Sequence, residues 1–172
     1  MNDINKVLVV GAGTMGAGIA EACAKAGCTV HLQDVQDDFL AKGKSRIEAS
    51  LDKAVSKGKL DEGGAAEAKG RITYTTDAPG GHDLVVEAVP EIMSLKKELM
   101  AGLDQKNPDA IVASNTSSLS VTELAAACPE PSKVIGLHFF TPVAIMPLLE
   151  IVRAEQTAPE LVETARAFAE RL

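Results

Sequence analysis

The sequence predicts an α/β domain with a doubly wound, mainly parallel sheet. Short unbroken apolar runs, typical of strands that are covered on both faces, alternate with longer stretches that are compatible with helices. Such alternation indicates helices packed on both faces of a parallel sheet. At 172 residues the chain has room for one domain with a substantial core, and a second domain would be cramped.

The first strand–helix–strand unit lies near the start of the chain. Residues 6–10 (KVLVV) form an apolar run that ends at a glycine, residues 14–26 are small and helix-compatible, and residues 29–34 (TVHLQD) alternate as a second strand. A pair of helices is predicted as an insertion after this second strand. The remaining predicted elements are strands at 71–74, 84–88, 110–114, 134–138 and 148–152, and helices at roughly 94–106, 119–127 and 158–172.

Composition argues against several classes of function. With 24 acidic and 17 basic residues the net charge is −7, which disfavours a general nucleic-acid binder because phosphate neutralisation needs a basic face. The first residues contain an early acid and only a short apolar run, unlike a signal peptide or a membrane span. Cys23, Cys28 and Cys128 lack the spacing of metal ligands. We therefore expect a cytoplasmic protein with reduced thiols, no metal, and no nucleic-acid or membrane partner.

Three glycines directly after the first strand, Gly11, Gly13 and Gly16, have the G-x-G-x-x-G spacing. In such a loop the first glycine allows a tight turn, the second lets the backbone approach a pyrophosphate, and the third lets helix and strand pack closely. Asp34 ends the next strand, 18 residues after Gly16, where a carboxylate can bind ribose hydroxyls. The next two residues include no arginine suited to a 2′-phosphate. The pattern predicts a Rossmann-type site for NAD rather than NADP; a glycine turn without a ligand is the alternative.

Residues 39–71 form a basic segment inside an acidic chain, with eight basic and five acidic side chains. On one predicted helix of this segment a polar stripe runs beside an apolar one, and its members are Arg46, Ser50, Lys53 and Lys57. The stripe is either a solvated helix face or a patch for an anionic ligand such as a phosphorylated carrier.

A run of four short polar residues, from Asn115 to Ser118, follows the apolar strand at 110–114. The carboxyl ends of strands are the ligand-binding edge of open α/β sheets. Serine and threonine are also preferred helix caps, but capping needs only one of the four. The others are candidates for contact with a ligand.

The segment GLHFFTPVAIMPLLEIV, residues 136–152, places His138 and Glu150 in otherwise apolar surroundings. Imidazole titrates near neutral pH, so His138 is a candidate general base, although a histidine that is merely bonded to backbone is the alternative. The other two histidines, His31 and His82, have no comparable support in the sequence.

Four segments, GAGTMGAGIA, DLVVEAVPE, SNTSSL and GLHFFTPVAIMPLLEIV, resemble in order and separation the L-3-hydroxyacyl-CoA dehydrogenase family, from Lys6 to about Arg153. The resemblance implies NAD-dependent interconversion of (S)-3-hydroxyacyl-CoA and 3-oxoacyl-CoA. In that family a separate helical domain completes the acyl site and usually forms a homodimer. Residues 1–172 are therefore expected to be the NAD-binding domain alone, which binds NAD but turns over slowly or not at all.

The same resemblance implies roles for residues by their position. The implied cofactor contacts are Gly11, Gly13, Thr14, Met15, Gly16, Asp34, Glu91, Lys96, Ser117 and Thr141. Ser50 and Lys57 would contact coenzyme A. His138 would be the base with Glu150 as its partner, while Ser117 and Asn115 would face the reacting group. Thr141 stands where the family commonly has asparagine, a longer side chain.

Two other classes of protein share parts of this pattern. A β-hydroxyacid dehydrogenase of the 6-phosphogluconate type also begins with G-x-G-x-M-G, but we would expect a lysine base there and no HFF followed by a glutamate. A crystallin-like or NAD-sensing protein would keep the fold without turnover, and the joint presence of Ser117, His138 and Glu150 counts against it.

Overall fold

A computed structural model describes residues 3–172, which form a layered α/β structure around one sheet. The strands are, in chain order, β1 (Lys6–Val10), β2 (Thr29–Gln33), β3 (Ile72–Thr75), β4 (Leu84–Glu87), β5 (Ile111–Ser114), β6 (Val134–Phe139) and β7 (Leu149–Arg153). Their order across the sheet is β3-β2-β1-β4-β5-β6-β7. All neighbouring pairs are parallel except β6 and β7, which are antiparallel. The predicted doubly wound, mainly parallel sheet is confirmed.

Except for the last of them, which follows β7, the helices lie in connections between parallel strands. They are α1 (Thr14–Lys25), α2 (Asp37–Ser56), α3 (Glu62–Gly70), α4 (Met93–Lys106), α5 (Val121–Ala125) and α6 (Pro159–Arg171), with a short 3-10 turn at Pro131–Lys133. The helices α2 and α3 are the predicted pair inserted after the second strand. Within the described residues no helix is both long enough and apolar enough to cross a membrane.

The unbroken apolar run of β1 is explained by cover on both of its faces. Val7 and Val9 belong to the large core cluster that also contains residues of α1 and α2. Leu8 and Val10 point the other way and pack in a cluster with Leu103 of α4. Since burying one such side chain contributes roughly 1.5–3 kcal/mol, a strand of this kind tolerates no polar face.

The carboxyl ends of the parallel strands converge at one edge of the sheet. The glycine loop after β1, the loop from β4 to α4, and the polar run after β5 meet there beside the end of β6. At the outer side of this edge β7 returns along β6, and in their register His138 lies directly opposite Glu150. The sheet thus gathers most of the candidate residues on one side of the molecule.

Candidate functional site

The glycine loop has the geometry that a pyrophosphate needs. Gly11 has a φ of +104°, and a Cβ there would lie 2.7 Å from the Ala88 carbonyl oxygen. A Cβ on Gly16 would lie 1.7 Å from the Gly11 oxygen, whereas one on Gly13 would meet no atom within 4 Å. Helix α1 begins after Gly13 with no side-chain cap and no acidic residue in its first turn. Its first amides and the positive end of its dipole therefore border open space, and an anion such as a phosphate fits there.

Asp34 is fixed against this loop. Its Oδ2 accepts a hydrogen bond from the Ala12 amide at 2.7 Å, and its Oδ1 accepts one from the Val35 amide at 2.7 Å. Each carboxylate oxygen can accept a further hydrogen bond, so ribose hydroxyls could bind to the same carboxylate. The side chain lies close to the loop that would hold the phosphates, as expected for a dinucleotide.

A cavity of about 410 Å³ opens at the carboxyl edge of the sheet. Its walls are Met15, Ala88, Val89, Glu91, Lys96, Asn115, Ser117, His138, Phe139, Phe140 and Thr141. Seven of these were predicted from the sequence as cofactor or catalytic residues: Met15, Glu91, Lys96, Asn115, Ser117, His138 and Thr141. Four separate segments of the chain contribute them, so the fold brings together residues that are far apart in sequence.

The predicted base and its predicted partner form a hydrogen-bonded pair. His138 Nδ1 lies 2.8 Å from Glu150 Oε2, across the antiparallel strands β6 and β7. A carboxylate can only accept, so the proton is assigned to Nδ1. The His138 side chain is 18% exposed and that of Glu150 is 54% exposed. The ring of Phe140 lies 4.4 Å from the imidazole, centroid to centroid. Because Glu150 engages Nδ1, Nε2 is the ring nitrogen available to a ligand.

Lys96 is buried in the opposite wall with three acceptors for its ammonium group. Its Nζ lies 2.6 Å from Glu87 Oε1, 3.1 Å from the Val89 carbonyl oxygen and 3.2 Å from Glu91 Oε2. Glu87 also accepts hydrogen bonds from Ser114 Oγ at 2.6 Å and from the Val89 amide at 2.7 Å. Lys96 is therefore held by ion pairs with Glu87 and Glu91, and it is not a free surface cation.

Glu91 joins this wall to the polar run after β5. Its Oε1 accepts hydrogen bonds from Thr116 Oγ1, from the amides of Ser117 and Ser118, and from Ser118 Oγ. Burial raises the pKa of the Glu91 carboxyl, but the hydrogen bond from Thr116 and the charge of Lys96 outweigh burial and bring the pKa below its usual value. Thr116 and Ser118 are thus used to hold the loop, while Ser117 lines the cavity.

Asn115 fixes the end of β5 to the end of β6. Its Oδ1 accepts a hydrogen bond from the Phe139 amide at 2.9 Å, and the residue also borders the cavity. The carbonyl oxygen of this side chain is therefore committed to the fold. Its NH₂ group is the part that can serve a ligand.

The two predicted coenzyme A contacts lie outside this cavity. Ser50 faces α1, where its Oγ donates to Glu21 Oε1 at 3.0 Å, and burial raises the pKa of Glu21. Ser50 borders a second cavity of about 230 Å³ between α1, α2 and the segment that follows Thr141. Lys57 comes directly after the end of α2 and is exposed. The polar stripe predicted on this helix is therefore divided between an interhelical contact and the surface.

Met15 and Thr141 border both cavities. Thr141 Oγ1 donates a hydrogen bond to Met15 Sδ at 3.0 Å. The position at which the chain departs from the family pattern therefore contacts the glycine-loop helix.

The sequence pattern indicated neither of two polar groups, one buried and one partly buried. It assigned no role to Glu87, because one glutamate at the end of an apolar strand has no spacing pattern. The LVVE run of β4 does indicate that Glu87 is paired, since a charged side chain in a fully buried strand needs a partner. It also left out the His31–His82 pair, whose ring nitrogens Nδ1 and Nε2 lie 2.8 Å apart.

The fold and the site define a dinucleotide-binding α/β domain with a histidine–glutamate pair at its ligand edge. The family model described as 3-hydroxyacyl-CoA dehydrogenase, NAD binding domain, matches residues 6–172. The chain belongs to the 3-hydroxyacyl-CoA dehydrogenase family, in the part that binds NAD. The family resemblance and the NAD cofactor that the sequence predicted are confirmed.

Individual relatives agree with this assignment. The 3-hydroxybutyryl-CoA dehydrogenase of Mycobacterium tuberculosis strain CDC 1551 / Oshkosh is 44% identical over 170 residues, which cover 96% of this chain and 59% of that protein. The 3-hydroxyadipyl-CoA dehydrogenase of Escherichia coli K12 is 40% identical over 166 residues, which cover 95% of this chain and 35% of that protein. The crystal structure of 3-hydroxybutyryl-CoA dehydrogenase from Escherichia coli K12 superposes with a TM-score of 0.96 at 38% identity, over 99% of this chain and 37% of that chain. The chain thus spans less than two thirds of the length of these proteins.

Proposed function

We propose that this chain provides the cofactor site and the catalytic base for NAD-dependent interconversion of (S)-3-hydroxyacyl-CoA and 3-oxoacyl-CoA. The observation that carries the proposal is the His138–Glu150 pair, because His138 lines the same cavity as Met15 of the glycine motif and the loop from Ala88 to Glu91. Two relatives named for 3-hydroxybutyryl-CoA and 3-hydroxyadipyl-CoA support an acyl-CoA substrate.

In the oxidative direction His138 Nε2 accepts the hydroxyl proton of the substrate. Glu150, bonded to Nδ1, keeps the ring in the correct tautomer and stabilises the imidazolium that forms. The NH₂ group of Asn115 and the hydroxyl of Ser117 hydrogen-bond the substrate oxygen as its charge changes, and both side chains line the cavity. Bound NAD supplies the hydride acceptor. In the reductive direction His138 returns the proton.

The cofactor contacts of the proposal follow the cavity and the glycine loop. The residues that would hold the pyrophosphate are Gly11, Gly13, Thr14, Met15 and Gly16, and Asp34 would bind the adenosine ribose. The residues that would flank the nicotinamide half are Glu91, Lys96, Ser117 and Thr141. The openness of the space at Gly13 and the uncapped start of α1 support this placement.

Coenzyme A is proposed to lie on the α2 side, with Ser50 and Lys57 as contacts. The excess of basic side chains in residues 39–71 supports a phosphorylated carrier on this side. We further propose that residues 1–172 act as one NAD-binding domain, that the complete enzyme is a homodimer, and that it works in the cytoplasm.

A His138→Gln substitution in the complete enzyme tests the catalytic role. Glutamine keeps hydrogen-bonding capacity but cannot serve as a base, so we expect acetoacetyl-CoA reduction to slow about 10²–10⁴-fold. The dissociation constant for NADH, measured by fluorescence titration, should stay nearly unchanged. His31→Gln is the matched control, because His31 lies in β2 outside the cavity and its substitution should leave the rate near that of the wild type.

An unaffected rate in His138→Gln would contradict the catalytic assignment. A wild-type protein that binds NADH but shows no turnover with any 3-oxoacyl-CoA would instead favour a non-catalytic NAD-binding role. The two results differ in the wild-type rate, so one set of assays separates them.

A further inference from the structure

Glu91 and Lys96 line the cavity, and Lys96 is paired with the buried Glu87, which does not itself reach the cavity. Only one of these three charged side chains is positive. Glu87 is 0% exposed and Lys96 is 1% exposed. The Glu91 side chain, which is 37% exposed, lies in the loop between β4 and α4 and contacts Lys96 from there. We call Glu87, Lys96 and Glu91 the charged triad.

The hydrogen-bond partners define the protonation state of the charged triad. Lys96 has three acceptors for its three protons. Glu87 receives the ammonium and an amide on one oxygen and the hydroxyl of Ser114 on the other. Ser114 Oγ accepts from the Thr116 amide, so its own proton is directed to Glu87. Only an ionised carboxylate accepts on both oxygens in this way.

Glu91 is ionised for the same reason, since hydroxyl and amide donors converge on its Oε1 and Lys96 on its Oε2. The charged triad therefore holds two negative charges and one positive charge. Its net charge is one negative charge in the wall of the cavity, in surroundings that are partly shielded from water, where charge interactions are stronger than in bulk solvent.

This wall faces the place where hydride transfer would occur. Glu91 and Lys96 line the same cavity as His138 and Ser117. If His138 acts on the hydroxyl of a substrate, the hydride acceptor has to lie beside the same carbon atom, and so within this cavity. The nicotinamide ring carries a positive charge in its oxidised form and none in its reduced form. A net negative wall therefore interacts differently with the two forms.

We propose that the charged triad raises the affinity of this site for the oxidised cofactor relative to the reduced cofactor, and so sets the ratio of the two dissociation constants. The inference rests on the proposed function, because that function brings the nicotinamide ring to this cavity. Glu87 acts through Lys96 and is a positioning residue, whereas Glu91 lies on the cavity wall. Removing either negative charge leaves the triad neutral and weakens the binding of NAD⁺ relative to NADH.

The test is the ratio of the dissociation constants for NAD⁺ and NADH, measured by calorimetry and by NADH fluorescence without any substrate. Glu87→Gln should raise this ratio about tenfold, as expected from the loss of one charge in a partly shielded site. Glu91→Gln makes the same charge change at a more exposed position, so it serves if Glu87→Gln fails to fold. Ser114→Ala removes a hydrogen bond to Glu87 without a change of charge, and it should keep the wild-type ratio.

The double substitution Glu87→Gln with Lys96→Gln tests whether net charge, and not a particular contact, determines the ratio. It removes one charge of each sign and leaves Glu91 alone, so the net charge returns to one negative charge and the ratio should return to the wild-type value. Lost contacts with Lys96 weaken both forms of the cofactor alike and cancel in the ratio. An unchanged ratio in folded Glu87→Gln or Glu91→Gln protein overturns the inference. That result would leave the role of His138 intact, because turnover is measured separately.

Discussion

Gly13 directly precedes α1 and Gly16 lies in the first turn of α1, yet an added methyl group meets very different surroundings at each. At Gly16 it would lie 1.7 Å from the Gly11 oxygen, and at Gly13 it meets nothing within 4 Å. The third glycine of the motif thus serves the packing of α1 on the loop, and the second leaves space for a ligand. The two requirements can be separated by experiment.

We expect Gly16→Ala to destabilise the fold by at least about 2 kcal/mol, because α1 has to move away from the loop. Gly13→Ala should change the free energy of unfolding by less than about 1 kcal/mol, since only the helix cap is altered. Both should weaken NADH binding, in the second case because the methyl group occupies the space next to the phosphates. Urea unfolding and NADH titration of the two variants give the comparison, and equal stabilities would contradict it.

Individual site residues could be predicted from the sequence where their chemistry requires a recognisable spacing or environment. The glycine spacing and Asp34 follow from the physical needs of a dinucleotide site, and His138 stands out as a titratable group in an apolar segment. Glu87 and the contact between Ser50 and Glu21 depend on which helix faces which, and no spacing along the chain encodes that. Roles for Glu91 and Lys96 came only from the family resemblance.

The hairpin of β6 and β7 is the element that builds the His138–Glu150 pair. Gly136 lies opposite Val152 in this hairpin, and a Cβ on Gly136 would lie 2.8 Å from the Val152 Cβ and 3.0 Å from the Val121 Cγ2. Close approach of the two strands therefore depends on this glycine. Two residues further along β6 comes His138.

Gly136→Ala should push β7 away from β6 and disturb the geometry of the base. We expect turnover of the complete enzyme to fall by up to about 10²-fold, the cost of displacing a catalytic group by about 1 Å, with a much smaller change in NADH affinity. Gly102→Ala is the control, because a Cβ on Gly102 in α4 meets nothing within 4 Å. Steady-state kinetics that show equal losses for both variants would refute this role of the hairpin.

The strands and the helices for which bounds were predicted lie within two residues of those bounds, but the direction of β7 was not predicted. An apolar run such as 148–152 has the same composition in either direction. The connection between β6 and β7 spans only residues 140–148, and parallel strands need a crossover of about a dozen residues or more. The length of the loop between β6 and β7, rather than the sequence of β7 itself, therefore predicts that β7 is antiparallel to β6.

For the whole molecule, the His31–His82 pair joins three parts of the fold. His31 belongs to β2, His82 precedes β4, and His82 Nδ1 contacts Oδ1 of Asn107, which follows α4. Burial lowers the pKa of His82, the hydrogen bond to Asn107 opposes this, and the nearby His31 lowers the pKa further. The folded protein therefore binds a proton at His82 less readily than the unfolded chain does.

We expect the free energy of unfolding to fall as the pH drops below about 6.5, the ordinary value for histidine in an unfolded chain. Above that pH His82 is neutral in both states and its contribution is fully present. The loss ends once the pH has passed below the lowered pKa of the folded state. Urea unfolding between pH 7.5 and pH 5 measures the slope, and His82→Gln should reduce it; an equal slope in the variant would exclude His82 as its source.

The contact between Met15 and Thr141 has a consequence for any ligand that is longer than one cavity. These two side chains border both the cavity beside His138 and the cavity beside Ser50, so they form the boundary between the two cavities. A ligand with its carrier in one cavity and its reacting group in the other would cross this boundary. The width of the passage between the cavities then depends on these two side chains, and a longer residue in place of Thr141 would narrow it.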